Sequence, residues 1–185
     1  NLNNTSADTL INQALEFTES SSISAPKFST ANIVVSPDNS QLAVRAYGTE
    51  LGNAFKINKP AVIKNEMLLF SEIVQTQDET RISELKEVAN VYRRLLATVS
   101  NIKVPSIYAG LHIEMLNNMN GLAESIDNMA VIFDDPLRSM QSMGGYQGYY
   151  VAYINTINAI RLKILRESKV VYKQGESGYY LYYGI

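Results

Sequence analysis

The chain has no cysteine, a single histidine, five prolines and charged residues at only 18% of its positions. Without cysteine there is no disulfide framework, no zinc ribbon and no thiol nucleophile, although many exported proteins also lack cysteine, so its absence assigns no compartment. One histidine, His112, supplies neither a transition-metal ligand set nor a Ser-His-Asp arrangement. The sequence also holds no G-x-S-x-G elbow, no H-E-x-x-H pair and no phosphate-binding loop. No run of about 18 apolar residues occurs, so no membrane-spanning helix is expected. The 16 basic residues are scattered and the net charge is -2, which gives no electrostatic footprint for nucleic acid or an anionic membrane.

Hydrophobic residues make up 46% of 185 positions, enough to bury one sizeable core. Asn and Ser occur 17 times each and Tyr 12 times, so the expected surface is polar but largely uncharged. With Asn1 rather than Met at the start, that composition predicts an exported domain whose leader or membrane anchor has been removed.

The prolines cut the helix-period pattern into rods. Residues 5–19 read as a short amphipathic helix, with Ala7, Leu10, Ile11, Ala14 and Phe17 at helical spacing. Residues 20–37 carry five serines before the run Ile33, Val34, Val35 and read as an extended strap or ordered loop. From Asp38, a stripe of Val44, Tyr47, Leu51, Ala54 and Phe55 predicts a helix ending at Pro60. Residues 61–104 form a long helical segment in which Asp78-Glu79 marks either a break or a polar turn. Leu85, Val88, Tyr92, Leu95, Val99 and Ile102 step along it by threes and fours as a packing seam.

Pro105 stops that rod, because the residue before proline leaves the α region, and Ser106 can open the next. Tyr108, His112, Met115, Met119, Leu122, Ile126, Met129 and Phe133 predict the following helix. Asp135 as cap and Pro136 as first residue start a last rod over 136–168. Its inward stripe is Met143, Tyr146, Tyr150, Tyr153, Ile157, Ile160 and Ile164, and Gly144-Gly145 could kink it. Beyond Ser168 the period changes, and two short Tyr-rich stretches around Gly175 read as a hairpin or extended tail. The expected fold is therefore all-α: one domain spanning 1–185, a mostly antiparallel bundle of four or five helices with an N-terminal strap and a short C-terminal β-hairpin.

Several residues are candidates for function, each with a plain packing alternative. Tyr149, Tyr179, Tyr180, Tyr182 and Tyr183 could form a recognition surface, since tyrosine joins contact area to a polar end; alternately, their rings pack on the bundle. Tyr108, His112 and Tyr150 could wall an interhelical pocket, or His112 is a hydrogen-bonded core residue. Gly48 with Gly52, and Gly144 with Gly148, sit four apart and predict close helix crossings. A helical glycine costs about 1 kcal/mol relative to alanine, which a close contact would offset. Glu124, Asp127, Asp134 and Asp135 lack the spacing of a calcium loop, and no pair of carboxylates has a context that marks it as catalytic. No metal and no cofactor are expected.

Residues 102–153 carry Ile102-Lys103-Val104-Pro105 at the corner, His112 seven residues after Pro105, Leu116-Asn117-Asn118, Asp135-Pro136 and Tyr146. This stretch resembles an uncharacterised helical domain of membrane-anchored, extracytoplasmic proteins in small-genome candidate-phylum bacteria. Gly175-Glu176-Ser177-Gly178-Tyr179 fits that resemblance loosely, with Ser177 where proline would be expected. The resemblance covers about half the chain. It implies an exported, cell-surface location, possible association with pili or secretion machinery, and no catalytic residues. The expectation is thus a non-enzymatic extracytoplasmic structural or protein-interaction domain whose partners are other proteins, including further copies of itself. The alternative is a ligand-sensing bundle with an interhelical pocket.

Overall fold

The structure, a computed structural model, describes residues 27–58 and 65–183. The expected helix over 5–19, the start of the strap, Pro60 and the opening of the 61–104 segment lie outside the described residues. The described residues are mostly helical, with one small sheet among them.

That sheet is not the expected C-terminal hairpin: it is parallel and joins the strap to the Pro105 corner. Strand β1 (Val34–Ser36) pairs in parallel with β2 (Lys103–Pro105), placing Val34 against Lys103, Val35 against Val104 and Ser36 against Pro105. Its cause is local on one side: Val104 precedes proline and is driven into the extended region, and β-branched Ile33, Val34 and Val35 supply a matching strand. Further back, the Asn117 side-chain amide pairs with the backbone of Phe28 like a strand, accepting from its N–H at 2.8 Å and donating to its C=O at 3.0 Å.

Helix α1 (Gln41–Ile57) starts at Ser40, whose hydroxyl accepts from the Ala43 N–H, and buries Val44, Tyr47, Leu51, Ala54 and Phe55. Helix α2 (Glu66–Thr76) ends where Gln77 turns left-handed at φ 53°. Asp78 then accepts from Thr80, and one tight turn leads into α3 (Ile82–Val99), so Asp78-Glu79 is a true break. The seam of α3 buries Leu85, Ala89, Leu95 and Val99, with Val88 and Tyr92 half-buried beside them.

After β2, a single turn over Ser106–Tyr108 opens α4 (Ala109–Met129). Ser106 does not cap it; its hydroxyl is held by Asn39, which also accepts from the Ile107 N–H. Tyr108, His112, Met115, Met119, Leu122, Ile126 and Met129 are all buried. Asp135 caps α5 (Pro136–Leu162), accepting from the Arg138 N–H at 3.1 Å. The helix runs through Gly144-Gly145 without interruption and closes in a wider π-type turn over Lys163–Glu167. Contacts between α4 and α5 run in opposite order: Asn118 with Thr156, Gly121 with Tyr149, and the Met129 carbonyl with Ser139.

The C-terminal segment is not a hairpin. Residues 171–176 form a loop, Ser177–Tyr179 one tight turn, and Tyr180–Tyr183 a short helix, α6. Side chains take the main-chain groups that a ladder would need: the Val171 carbonyl accepts from Arg45, and the Lys173 N–H donates to Glu176. The segment instead closes over α1, where Gly48 faces the Tyr172 hydroxyl and Gly52 faces the Ser177 carbonyl.

The other glycine pair departs from expectation. A Cβ at Gly144 or Gly148 would meet nothing within 4 Å among the described residues, both lying on the side of α5 away from α4. The close approach between those helices is made by Gly121, whose missing side chain admits the Tyr149 ring. Two substitutions separate these environments. Gly52→Ala should lose about 2 kcal/mol by overpacking against backbone, despite alanine's better helix propensity. Gly148→Ala should gain about 1 kcal/mol. Thermal unfolding followed by circular dichroism checks both, and equal shifts in one direction would refute the assignment.

Candidate functional site

His112 is wholly buried, as is Tyr108, and Tyr47 is only 1% exposed. The Tyr47 hydroxyl meets His112 Nδ1 at 3.1 Å, and the Tyr47 ring packs on Tyr108 at 5.3 Å and on the imidazole at 5.7 Å between centroids. Tyr108 reaches outward, its hydroxyl 2.9 Å from Ser168 Oγ, with the Lys163 ammonium over its ring. Burial lowers the His112 pKa to about 4, with the Val99 backbone partly opposing, and burial raises the Tyr47 phenol. Among the described residues His112 Nε2 makes no well-formed hydrogen bond. The imidazole is thus a neutral core group joining α1 to α4. Tyr150, expected to complete a pocket there, is instead 41% exposed and stacks on Tyr146. The three residues do not meet, and Tyr47 fills the place assigned to a ligand.

A surface cavity of about 380 Å³ lies elsewhere, lined by Gln41, Leu42, Arg45, Lys169, Val170 and Val171. Arg45 at its wall is already engaged, to the Val171 carbonyl and to Glu176 at 2.6 Å.

Tyr179, Tyr180 and Tyr182 of the C-terminal segment are half-buried rather than displayed. Tyr180 lies beneath the Lys56 ammonium, and the Tyr182 hydroxyl donates to the Arg161 carbonyl. Tyr179 and Tyr149 pack against the core; Tyr183 ends α6. With no strand in this segment, it offers no edge for strand addition.

The acidic candidates separate. Asp127 pairs with Arg93, Glu124 accepts from Asn120, and Asp135 is spent as a helix cap. Among the described residues no group of His, Cys, Asp or Glu is placed to hold a metal.

The chain matches no family model, no curated protein and no solved structure.

Two features escaped the sequence reading. Glu66, in the first turn of α2, accepts from the Tyr92 hydroxyl at 3.0 Å and from the Tyr146 hydroxyl at 3.1 Å, so one carboxylate ties α2, α3 and α5 together. Nothing in its sequence context marks it. The outward face of α5 did carry a signal. Between Arg138 and Arg161 the sequence contains no charged residue, yet Met140, Gly144, Gln147, Gly148, Val151 and Asn155 are exposed. Exposed α3 positions, by contrast, include the charged Lys86, Glu87, Arg93 and Arg94 beside Ser83, Asn90 and Ala97. A solvated helix normally carries charge on its outer face; α5 presents apolar, small and amide side chains instead.

The buried imidazole gives a pH test. An unfolded chain protonates His112 near 6.5, the folded one only near 4, so between these values the unfolded state holds the extra proton. Stability therefore falls as pH drops through that window, by up to about 3 kcal/mol, and His112 adds no pH dependence above it. Urea unfolding at successive pH values should show His112→Gln losing that share of the slope; identical slopes would refute it. Glu66→Leu should cost about 2 kcal/mol by leaving two hydroxyls without their acceptor, and Tyr92→Phe about 1 kcal/mol, as measured by the same unfolding curves.

Proposed function

We propose that the chain is a non-enzymatic, extracytoplasmic structural or protein-interaction domain, built as an antiparallel helical bundle, that presents the outer face of α5 to other proteins in a surface assembly. The observation that carries this is the exposed, charge-free face itself: Leu137 is 65% exposed, Met140 64% and Val151 52%. Aligned apolar side chains on one rigid rod suit a protein surface, and a face without cations has no means of holding phosphate. The opposite order of contacts along α4 and α5 supports the antiparallel arrangement. The Asn-, Ser- and Tyr-rich, charge-poor composition supports export, and the resemblance over residues 102–153 supports a pilus- or secretion-associated setting. The ligand-sensing alternative rests on the cavity beside Arg45 and Lys169 rather than on the aromatic trio.

A photo-reactive residue at Met140, introduced into the protein in its native cells, should yield a discrete protein adduct, and one at Arg94 on the charged face of α3 should not. A membrane-impermeant reagent should label the chain in intact cells. Equal adduct yields from both faces would overturn the interaction reading, and absence of labelling would overturn the location.

A further inference from the structure

Resting on the interaction reading above, we infer that the partner of the outer α5 face is a second copy of this chain, paired antiparallel about Val151. Leu137, Gly144, Val151 and Asn158 lie on one exposed, uncharged line along α5, and Leu165 is exposed in the wider turn that follows it. The series is self-complementary when reversed. With Val151 on a two-fold axis, residues equally far from it meet: Leu137 faces Leu165, Met140 faces Leu162, and Gln147 faces Asn155. Apolar ends thus cover apolar ends. The central amides can hydrogen-bond each other, and glycine at 144 leaves room for Asn158.

Charge selects the direction. Exposed Asp134 and Asp135 flank the start of α5, and exposed Arg166 lies at its end. Reversed pairing brings these acids beside the partner's Arg166 and opposes the two helix dipoles. Parallel pairing would set acid against acid. Glu167, the one acid at the far end, is held at 2.9 Å by Lys163 of its own turn. A heterologous partner would need no such symmetry in the sequence of one helix. A helix of this length is roughly 40 Å long and 10 Å across, so the face buries on the order of 400 Å² per copy. That is about half of a standard interface, so the dimer should come apart on dilution.

Sedimentation equilibrium from low-micromolar to sub-millimolar protein tests the pairing. The intact chain should rise toward twice its monomer mass. Gly148→Glu, at a position open enough to accept a side chain, should stay monomeric with its melting temperature undiminished. Because the chain has no cysteine, Val151→Cys places a unique thiol on the axis. Under mild oxidation it should give a covalent dimer far faster than Asn90→Cys on the exposed face of α3. Leu137→Cys and Leu165→Cys should cross-link when mixed and not when separate. A Gly148→Glu dimer of unchanged strength, or a Val151→Cys rate no faster than that of Asn90→Cys, overturns the inference. An intact chain that is monomeric throughout but still gives the Met140 adduct with a different protein removes the second copy and leaves the interaction reading standing. Monomer without any adduct removes both.

Discussion

Gly48 and Gly52 leave one side of α1 bare, and the C-terminal segment closes over the molecule only because of that. A Cβ at Gly52 would strike the Ser177 carbonyl, and one at Gly48 would strike Tyr172. With both absent, the Tyr172 hydroxyl reaches the Arg45 carbonyl at 2.8 Å, the Arg45 guanidinium sits over the Tyr172 ring, and Leu181 is buried to 1% exposure. Gly178 is in turn covered by Tyr172. Arg161 reaches over from α5 to donate to the Leu181 carbonyl. The opposite side of α1 carries Tyr47 to His112. This helix is therefore held between two layers, and its glycines set the spacing of one of them.

The same economy of side chain governs α4 and α5 differently. Gly121 is a socket for Tyr149, which fixes the two helices in register beside the Asn118 to Thr156 and Ser139 to Met129 bonds. Gly144 and Gly148 have no such neighbour. They lie in a second seam on a helix whose first seam, through Tyr146, Tyr153, Ile157 and Ile160, is already buried. A helix with two seams and no charge between Arg138 and Arg161 has little charge on either side, and the described residues bury only one of the two.

Rod boundaries were legible wherever proline or a polar cap dictates backbone geometry: Pro105, Asp135 with Pro136, and Ser40 all act locally. Inward stripes were legible for the same reason, since burial follows the helical period. Strand β1 was not, because its partner Lys103 to Pro105 is remote in sequence and Ile33-Val34-Val35 alone does not declare a ladder. The tail was misread because alternating tyrosines around a glycine suit either a hairpin or a short helix. The choice was made by side chains that occupy the main chain, Arg45 from α1 and Glu176 from within the segment. The His112 environment was half legible: its position on a buried stripe showed, but Tyr47 as its partner depends on how α1 crosses α4. Spacing of glycines four apart does not say which side of a helix is covered or by what: Gly48 and Gly52 meet the Tyr172 ring and a tight turn, whereas Gly144 and Gly148 lie on the open side of α5.

The pairing of Tyr172 with Arg45 joins residues 127 apart in sequence, and the β1 to β2 ladder joins Val34 to Lys103. Both enclose α1 through long loops, whose closure is entropically costly and slow relative to local helix formation. On the ribosome, α1 would emerge early and wait. Its two glycines and apolar stripe would stay uncovered until the region around Tyr172 had been synthesised, while α4 and α5, neighbours in sequence, could dock as soon as both had appeared. The order of assembly would then run opposite to the order of translation for this helix, whose apolar stripe is open to wrong contacts during that interval.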